Sequence, residues 1–204
     1  MDHEAYLQSC QSPFWQRVFQ YEIVYLEQQL EGCRRVLSVG CGPAIIEAEL
    51  ARRGFELTGL DVSAQALSCA PDSLRTVAGR AEEMPFGDAF YDAVVFVVSL
   101  QFVDDYRAAI DEAWRVLRPA GRLIALLLNP QSAFFLEKSN DPASYIQQIK
   151  HTDNEAILAA VKRRFKTQTE YCLGIRDKRI FASNDPAKAA LFCITGEKVS
   201  SGTS

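Results

Sequence analysis

"VLSVGCGPA", residues 36–44, decides how the chain is read. Val36, Leu37 and Val39 make a short β-branched and apolar run of the kind that fills a buried parallel strand. Gly40 and Gly42 follow at once. Lacking a Cβ, they let the backbone turn sharply and come within van der Waals distance of a flat ligand. "AIIEAELARRG" comes next, with Ile46 and Leu50 on one helical face and Gly54 at its end. Strand, glycine turn and helix in that order open a doubly wound α/β sheet, in which ligands bind beyond the carboxyl ends of the strands where strand order reverses.

The pattern extends both ways from this stretch. Upstream, "SPFWQRVFQYEIVYLEQQLEG" predicts a helix capped by Ser12, with Pro13 in its first turn and Phe14, Val18, Tyr21 and Tyr25 at helical spacing. Downstream, "ELTGLD", "LRTVAG", "DAVVFVVSL" and "RLIALLL" predict four more strands. Between them lie "VSAQALSCA", a short helix that Ser63 caps, and "DDYRAAIDEAWRVLRP", with Tyr106, Ile110, Ala113 and Leu117 inward, ended by Pro119 and Gly121. Past Asn129 a long polar and aromatic connection runs to His151. "TDNEAILAAVKRRF" then predicts a helix with Thr152 and Glu155 as a capping box and Ile157, Val161 and Phe165 inward. "TEYCLGI" and "AALFCIT" predict an antiparallel edge pair, and "EKVSSGTS" a frayed tail. The fold class expected is α/β, a doubly wound Rossmann-like seven-stranded, mostly parallel sheet with an antiparallel C-terminal edge pair. A single domain is expected: an N-terminal helical lid (1–32), a cofactor-binding core (33–128), a substrate-side connection (129–151), and a C-terminal helix with edge strands (152–195).

Composition narrows the function classes. With 26 acidic against 22 basic side chains and a net charge of −4, no general attraction to nucleic acid or an anionic membrane is expected. The basic run Lys162, Arg163, Arg164, Lys166 reads as a solvated helix end. "AVVFVVSL" is too short to span a bilayer, and "MDHEAYLQSC" has neither the cationic start nor the apolar stretch of a secretory signal, so a cytoplasmic protein is expected. Six cysteines (Cys10, Cys33, Cys41, Cys69, Cys172, Cys193) form no C-x-x-C pair, so no metal site is expected and most read as small buried hydrophobes.

The glycine spacing separates the cofactors. A dinucleotide loop, G-x-G-x-x-G/A, needs a small third residue where this chain has Ile45, whose side chain obstructs approach to a pyrophosphate. A cofactor with a nucleoside and no phosphates fits better, and Asp61, ending the next strand, is placed to accept both hydrogen bonds of a ribose diol.

Residues 12–130 resemble, block by block, the class I S-adenosylmethionine-dependent methyltransferases, specifically the type 11 group acting mostly on small molecules. "VLSVGCGPA" is similar to the first motif, "LTGLDVS" to the second, "GRAEEMPFGDAFYDAV" to the third, "VVSLQFVDD" to the fourth and "RVLRPAGRLI" to the segment closing the core. The resemblance implies S-adenosylmethionine as cofactor and a small-molecule acceptor. The main chain at Gly40 and Gly42 would flank the methionyl and ribose parts, with Ser38 and Cys41 also among the cofactor-binding residues, and Asp61 would hold the ribose. Val62 would pack on the adenine face, with Ala81, Glu82 and Met84 at the adenine edge, and Ser99, Leu100 and Gln101 would face the methyl group.

Three departures stand out: Ser38 replaces an acid that organises the loop, Ala44 replaces a glycine and is tolerated with a negative φ, and Arg80 stands where Asp is frequent. Methyl transfer asks mainly for positioning and exclusion of water, so no acid–base pair is required; Gln101, Tyr145 and His151 are the candidate catalytic side chains, and Asn129 merits the same scrutiny. Phe14, Trp15, Phe19, Tyr21 and Tyr25 read either as a lid over the cofactor or as packing residues. A monomer or homodimer is expected. The competing functions are a non-catalytic S-adenosylmethionine-binding or partner protein and a nicotinamide-dependent oxidoreductase.

Overall fold

The computed structural model describes residues 10–199. At its centre, β1 (Arg35–Val39) runs parallel to β2 (Glu56–Asp61) on one side and to β4 (Tyr91–Val97) on the other. The remaining strands are β3 (Arg75–Ala78), β5 (Leu117–Leu128), β6 (Phe165–Arg176), β7 (Arg179–Phe181) and β8 (Ala189–Lys198). Their order is β3-β2-β1-β4-β5-β8-β6-β7. The chain winds outward from β1 to β3, then crosses to β4 and continues the other way. The carboxyl ends of β1 and β4 therefore diverge from a common gap, the place where an open α/β sheet takes its ligand.

Helices cover both faces. On one, α1 (Pro13–Gln29), α2 (Ile45–Arg52) and α5 (Ala133–Ser139) bury Val18, Leu26, Ile46, Leu50 and Phe134 against Val36, Ile124 and Leu126. On the other, α4 (Tyr106–Val116) and α6 (Asn154–Lys162) bury Ile110, Ala113, Ile157 and Val161 against Leu37, Val94 and Leu123. The short α3 (Ala64–Leu67) starts at Ser63, whose hydroxyl accepts from the Ala66 amide at 3.1 Å. Ser12 caps α1 in the same way through the Trp15 amide.

The mostly parallel sheet with antiparallel C-terminal strands is as expected, with differences in detail. There are eight strands. β8 inserts between β5 and β6 and is antiparallel to both, so it lies inside the sheet. The added edge strand, β7, follows a tight two-residue turn at Asp177 and Lys178, with φ of +49° and +57°. This is the I′ geometry that matches strand twist, and a three-residue strand is too short to show alternation in sequence. The cap of α6 is Asp153 instead of Thr152, its carboxylate accepting from the Ala156 amide. β8 also continues through Glu197 and Lys198, so the expected frayed tail is strand that far; the rest of it from Ser200, like residues 1–9, lies outside the described residues.

Ala44 overturns its expectation. It sits at φ +56°, ψ +40°, in the left-handed region, which costs an L-residue about 1–2 kcal/mol. Its methyl is fully buried, and burying one such carbon returns about 0.8 kcal/mol. The strain is therefore offset only in part where the turn passes into α2.

Ile124 is fully buried in β5, at the middle of the sheet. Ile124→Ala is expected to cost about 2–5 kcal/mol of stability, whereas Leu136→Ala, at a largely exposed site, is expected to change it by less than about 0.5 kcal/mol; urea denaturation measures both.

Candidate functional site

At the carboxyl ends of β1, β2 and β4 the structure encloses a cavity of about 860 Å³. Its floor is the glycine turn. The Gly40 amide donates to the Leu60 carbonyl at 2.7 Å, holding the turn against β2. Gly40 has φ +74°, and a Cβ there would stand 2.5 Å from the Ser99 Cβ, so glycine is required on two counts. The Ser99 hydroxyl donates to the Val39 carbonyl at 2.5 Å, tying β4 to β1. Asp61 completes the frame: one carboxylate oxygen accepts from the Gly42 amide at 2.7 Å and the other from the Ser63 amide at 2.8 Å. It thus caps the turn into α3 and fixes the glycine turn at once, while each oxygen keeps a lone pair.

Beyond Asp61 the wall passes through Val62, 72% exposed, to Ala81 and Glu82. Glu82 accepts from the Asp104 and Asp105 amides at 2.9 and 3.2 Å. Arg80 and Lys150 both bind the Asp104 carboxylate and hold it well below the usual carboxylate range, at about 2. Arg115 of α4 fastens the segment behind this wall by donating to the Met84 and Phe86 carbonyls at 2.9 and 2.8 Å.

The opposite wall is aromatic and comes largely from α1. Trp15, Val18, Phe19 and Glu22 share one helical stripe and all face the cavity. Trp15 meets Phe134 and Tyr145 edge-on, with ring centroids 6.3 and 6.0 Å away, and Tyr145 stacks on Phe102 at 6.3 Å. Val98 and Leu173 line the cavity with φ of +51° and +62°. Such left-handed outliers persist only where the surroundings over-determine them.

Between floor and aromatic wall sit two buried acids. Glu47, on the first turn of α2, accepts from the Ser38 hydroxyl at 2.6 Å. Glu22 comes from α1 and has no hydrogen-bond partner among the described residues. They are 3% and 4% exposed. Burial raises both carboxyls, Glu22 to about 8 with help from the Glu47 charge, and Glu47 to about 7, moderated by the Ser38 bond. Burial, then the Glu47 and Asp61 charges, push the nearby Cys41 thiol up as well.

Of the cofactor-site residues expected from sequence, Gly40, Cys41, Gly42, Asp61, Val62, Ala81, Glu82 and Ser99 line this one cavity. Ser38, Met84 and Leu100 do not: Ser38 is buried behind the turn on Glu47, Met84 packs in the core beside Tyr91, and Leu100 is fully buried. Among the catalytic candidates, Tyr145 alone lines the cavity. Gln101 is fully buried with its amide spent on the Leu128 backbone and the Asn154 side chain, so it staples β5 to α6. His151 contacts the Val103 carbonyl and packs edge-on against Tyr106, outside the cavity wall. Asn129 spends its amide on the Pro186 and Ala189 carbonyls. Of the amino-terminal aromatics, Trp15 and Phe19 face the cavity, while Tyr25 donates to Glu170. Sequence reasoning missed Glu22 and Glu47. The available signal was an acid on a core-facing stripe, Glu22 one turn past Val18 and Glu47 beside Ile46.

Among the described residues no helix is long and apolar enough to cross a membrane, and no cluster of histidine, cysteine or acidic side chains has the geometry to hold a metal ion. Residues 37–125 match a family model described as a methyltransferase domain. The demethylmenaquinone methyltransferase of Mycolicibacterium gilvum is 35% identical over 115 residues, 56% of this chain and 48% of that protein. The protein of the same name from Mycobacterium marinum is 37% identical over 103 residues, 50% of this chain and 45% of that protein. The chain therefore spans about half the length of the curated relatives it matches. Among solved structures, a SAM-dependent methyltransferase from Thermotoga maritima superposes with a TM-score of 0.76 over 88% of this chain and 89% of that one, at 20% identity. Another, from Archaeoglobus fulgidus, gives 0.70 over 88% and 94%, at 16% identity. These likenesses show the fold.

Carboxyl groups with folded pKa values raised above the unfolded value stabilise most when protonated. The contribution of Glu22 and Glu47 is full below about pH 4.5 and is lost as pH rises through about 7 to 8. Thermal melts from pH 5 to 9 are expected to show the ligand-free protein losing stability with rising pH, by up to about 1.4 kcal/mol per unit for each titrating group, and Glu22→Gln is expected to flatten that slope.

Proposed function

We propose that this chain, whose residues 37–125 match the methyltransferase-domain model, transfers a methyl group from S-adenosylmethionine to a small-molecule acceptor. The observation that carries this reading is the alignment, along one cavity, of a glycine turn whose Gly40 leaves no room for a Cβ, the Asp61 carboxylate and the exposed Val62. A nucleoside fits these groups. Val62 offers an uncovered apolar surface for a flat base, and Asp61 has lone pairs left for a diol. Ala81 and Glu82 stand at the far edge of the base. Ile45 lines the cavity where a pyrophosphate would have to pass, which favours a cofactor without phosphates over a nicotinamide.

The cofactor supplies a methyl carbon activated by its positive sulfonium. The chain's own residues bind and orient. The Gly40–Gly42 turn fixes the path of the cofactor's tail, and Ser99 holds β4 at the distance that turn requires. Trp15, Phe19, Phe102, Phe134 and Tyr145 form an aromatic part of the cavity wall, excluding water and favouring a flat, largely apolar acceptor. The names of the curated relatives, which act on demethylmenaquinone, support an acceptor of small-molecule class. Tyr145, on this aromatic wall, is the candidate to orient it. We also infer that residues 1–204 work as a single methyltransferase domain in the cytoplasm, with α1 as a fixed wall over the site, as a monomer or homodimer without nucleic-acid partners. The packing of α1 into the same core as β1 and β5 supports the single-domain reading.

Calorimetric titration tests the cofactor assignment. Asp61→Ala is expected to weaken S-adenosylhomocysteine by about 1.5–3 kcal/mol, the loss of hydrogen bonds to a charged acceptor. Val62→Ala is expected to weaken it by about 0.5–1 kcal/mol with the fold's stability unchanged. Tight NADH binding with none for S-adenosylhomocysteine would overturn the proposal.

A further inference from the structure

Glu22 and Glu47 are the charged feature of the cavity that the fold leaves unexplained. A buried carboxyl is ordinarily paired or hydrogen-bonded, because desolvation of the charged form costs several kcal/mol. Glu47 has Ser38; Glu22 has no partner among the described residues, yet it is 4% exposed and lines the cavity. The basic side chains that line the cavity, Arg80 and Lys150, are both spent on Asp104 at the other end. The groups facing the pair are Ser38 from β1, Cys41 from the turn and Asp61 from β2, none of them cationic. Tyr21 and Tyr25, the other titratable groups of this part of α1, are directed at Cys172, Cys193 and Glu170 of β6 and β8. Two adjacent acids without a cation, beside the turn that guides a cofactor's tail, form an incomplete ion pair.

Resting on the cofactor reading above, we propose that Glu22 and Glu47 together seat one primary ammonium group, the α-amino group of the cofactor's amino-acid tail, and that seating it displaces a proton from the pair to solvent. Glu47, held by Ser38, is the fixed acceptor. Glu22, with no partner of its own, carries the displaced proton. The ammonium brings three N–H donors and one positive charge, enough to reach both carboxylates and to favour their ionised forms. Their raised titration range, about 7 to 8, puts this exchange near neutral pH. The acid missing at Ser38 is thereby supplied from α2 and α1, through Ser38 itself. Affinity for a ligand bearing the amino-acid tail therefore rises with pH across this range, while a ligand without it is indifferent.

The test is calorimetry on the full chain between pH 6 and 8, in pairs of buffers with different ionisation enthalpies, using S-adenosylhomocysteine and 5′-methylthioadenosine, which keeps the nucleoside and thioether but lacks the tail. S-adenosylhomocysteine is expected to release about one proton on binding near pH 7 and to bind about fifty-fold tighter at pH 8 than at pH 6. Methylthioadenosine is expected to release none and to keep a constant Kd. Glu47→Gln is expected to weaken S-adenosylhomocysteine at pH 8 by about ten-fold or more and to leave methylthioadenosine within about two-fold. Binding of S-adenosylhomocysteine by the unmodified protein with no proton release and no pH dependence overturns the inference while leaving the cofactor reading intact. Equal weakening of both ligands by Glu47→Gln also overturns it. Failure of the unmodified protein to bind either ligand overturns the cofactor reading and the inference with it.

Discussion

The hydrogen bond from the Gly42 amide to the Asp61 carboxylate, 2.7 Å long, is the contact on which the site depends. It locks the turn after β1 to the end of β2, and the Gly40 amide on the Leu60 carbonyl and Ser99 on the Val39 carbonyl complete the lock on either side. These bonds fix the gap where strand order reverses, between the outward winding toward β3 and the crossing to β4. A carboxylate at the end of β2 thus does two things at once. It shapes the turn in the ligand-free protein and presents its remaining lone pairs to whatever enters. Removing it loosens the frame as well as the contact.

The departures of this chain from the methyltransferase motifs it resembles become coherent in three dimensions. Ser38 lacks the charge of the acid it replaces, but its hydroxyl anchors Glu47, which approaches the same region from α2. Glu22 joins from α1, and burial raises both carboxyls. The cost is a buried acidic pair that destabilises the free protein as pH rises; on the proposed reading a cationic ligand offsets it. Ala44 behaves in the same spirit: a left-handed residue that is not glycine is kept because its methyl is fully buried at the start of α2. Strain at Val98 and Leu173, both on the cavity wall, belongs with it. The floor and walls of the site are where this fold accepts unfavourable local terms.

Local chemistry with a strong backbone signature was legible in the sequence. The glycine turn, the caps at Ser12 and Ser63, and the parallel strands β1, β2, β4 and β5 each announce themselves within a few residues, by missing Cβ atoms, a hydroxyl before a helix, or unbroken apolar runs. What depended on distant partners was not legible. β8 is as apolar as an interior strand, yet only its pairing with both β5 and β6 reveals its place. β7 is three residues after a basic turn. Gln101 follows the fourth motif as a site residue would, but its amide is consumed by the Leu128 backbone and Asn154 across the domain. Glu22 and Glu47 stand 25 positions apart, and nothing local says that both line one cavity.

The cavity has two chemical halves: a polar floor built around Asp61 and Glu82, and an aromatic wall of Trp15, Phe19, Phe102, Phe134 and Tyr145. That division suits a reaction in which one partner is a charged nucleoside and the other a flat apolar acceptor, brought together with water excluded. The most direct measurement is incubation of the protein with methyl-labelled S-adenosylmethionine and the small-molecule fraction of a cell extract, followed by untargeted mass spectrometry. Label in a low-mass product, with S-adenosylhomocysteine formed in equal amount, is the expected result; cofactor bound at micromolar concentration with no label transferred from it to any fraction would contradict the account.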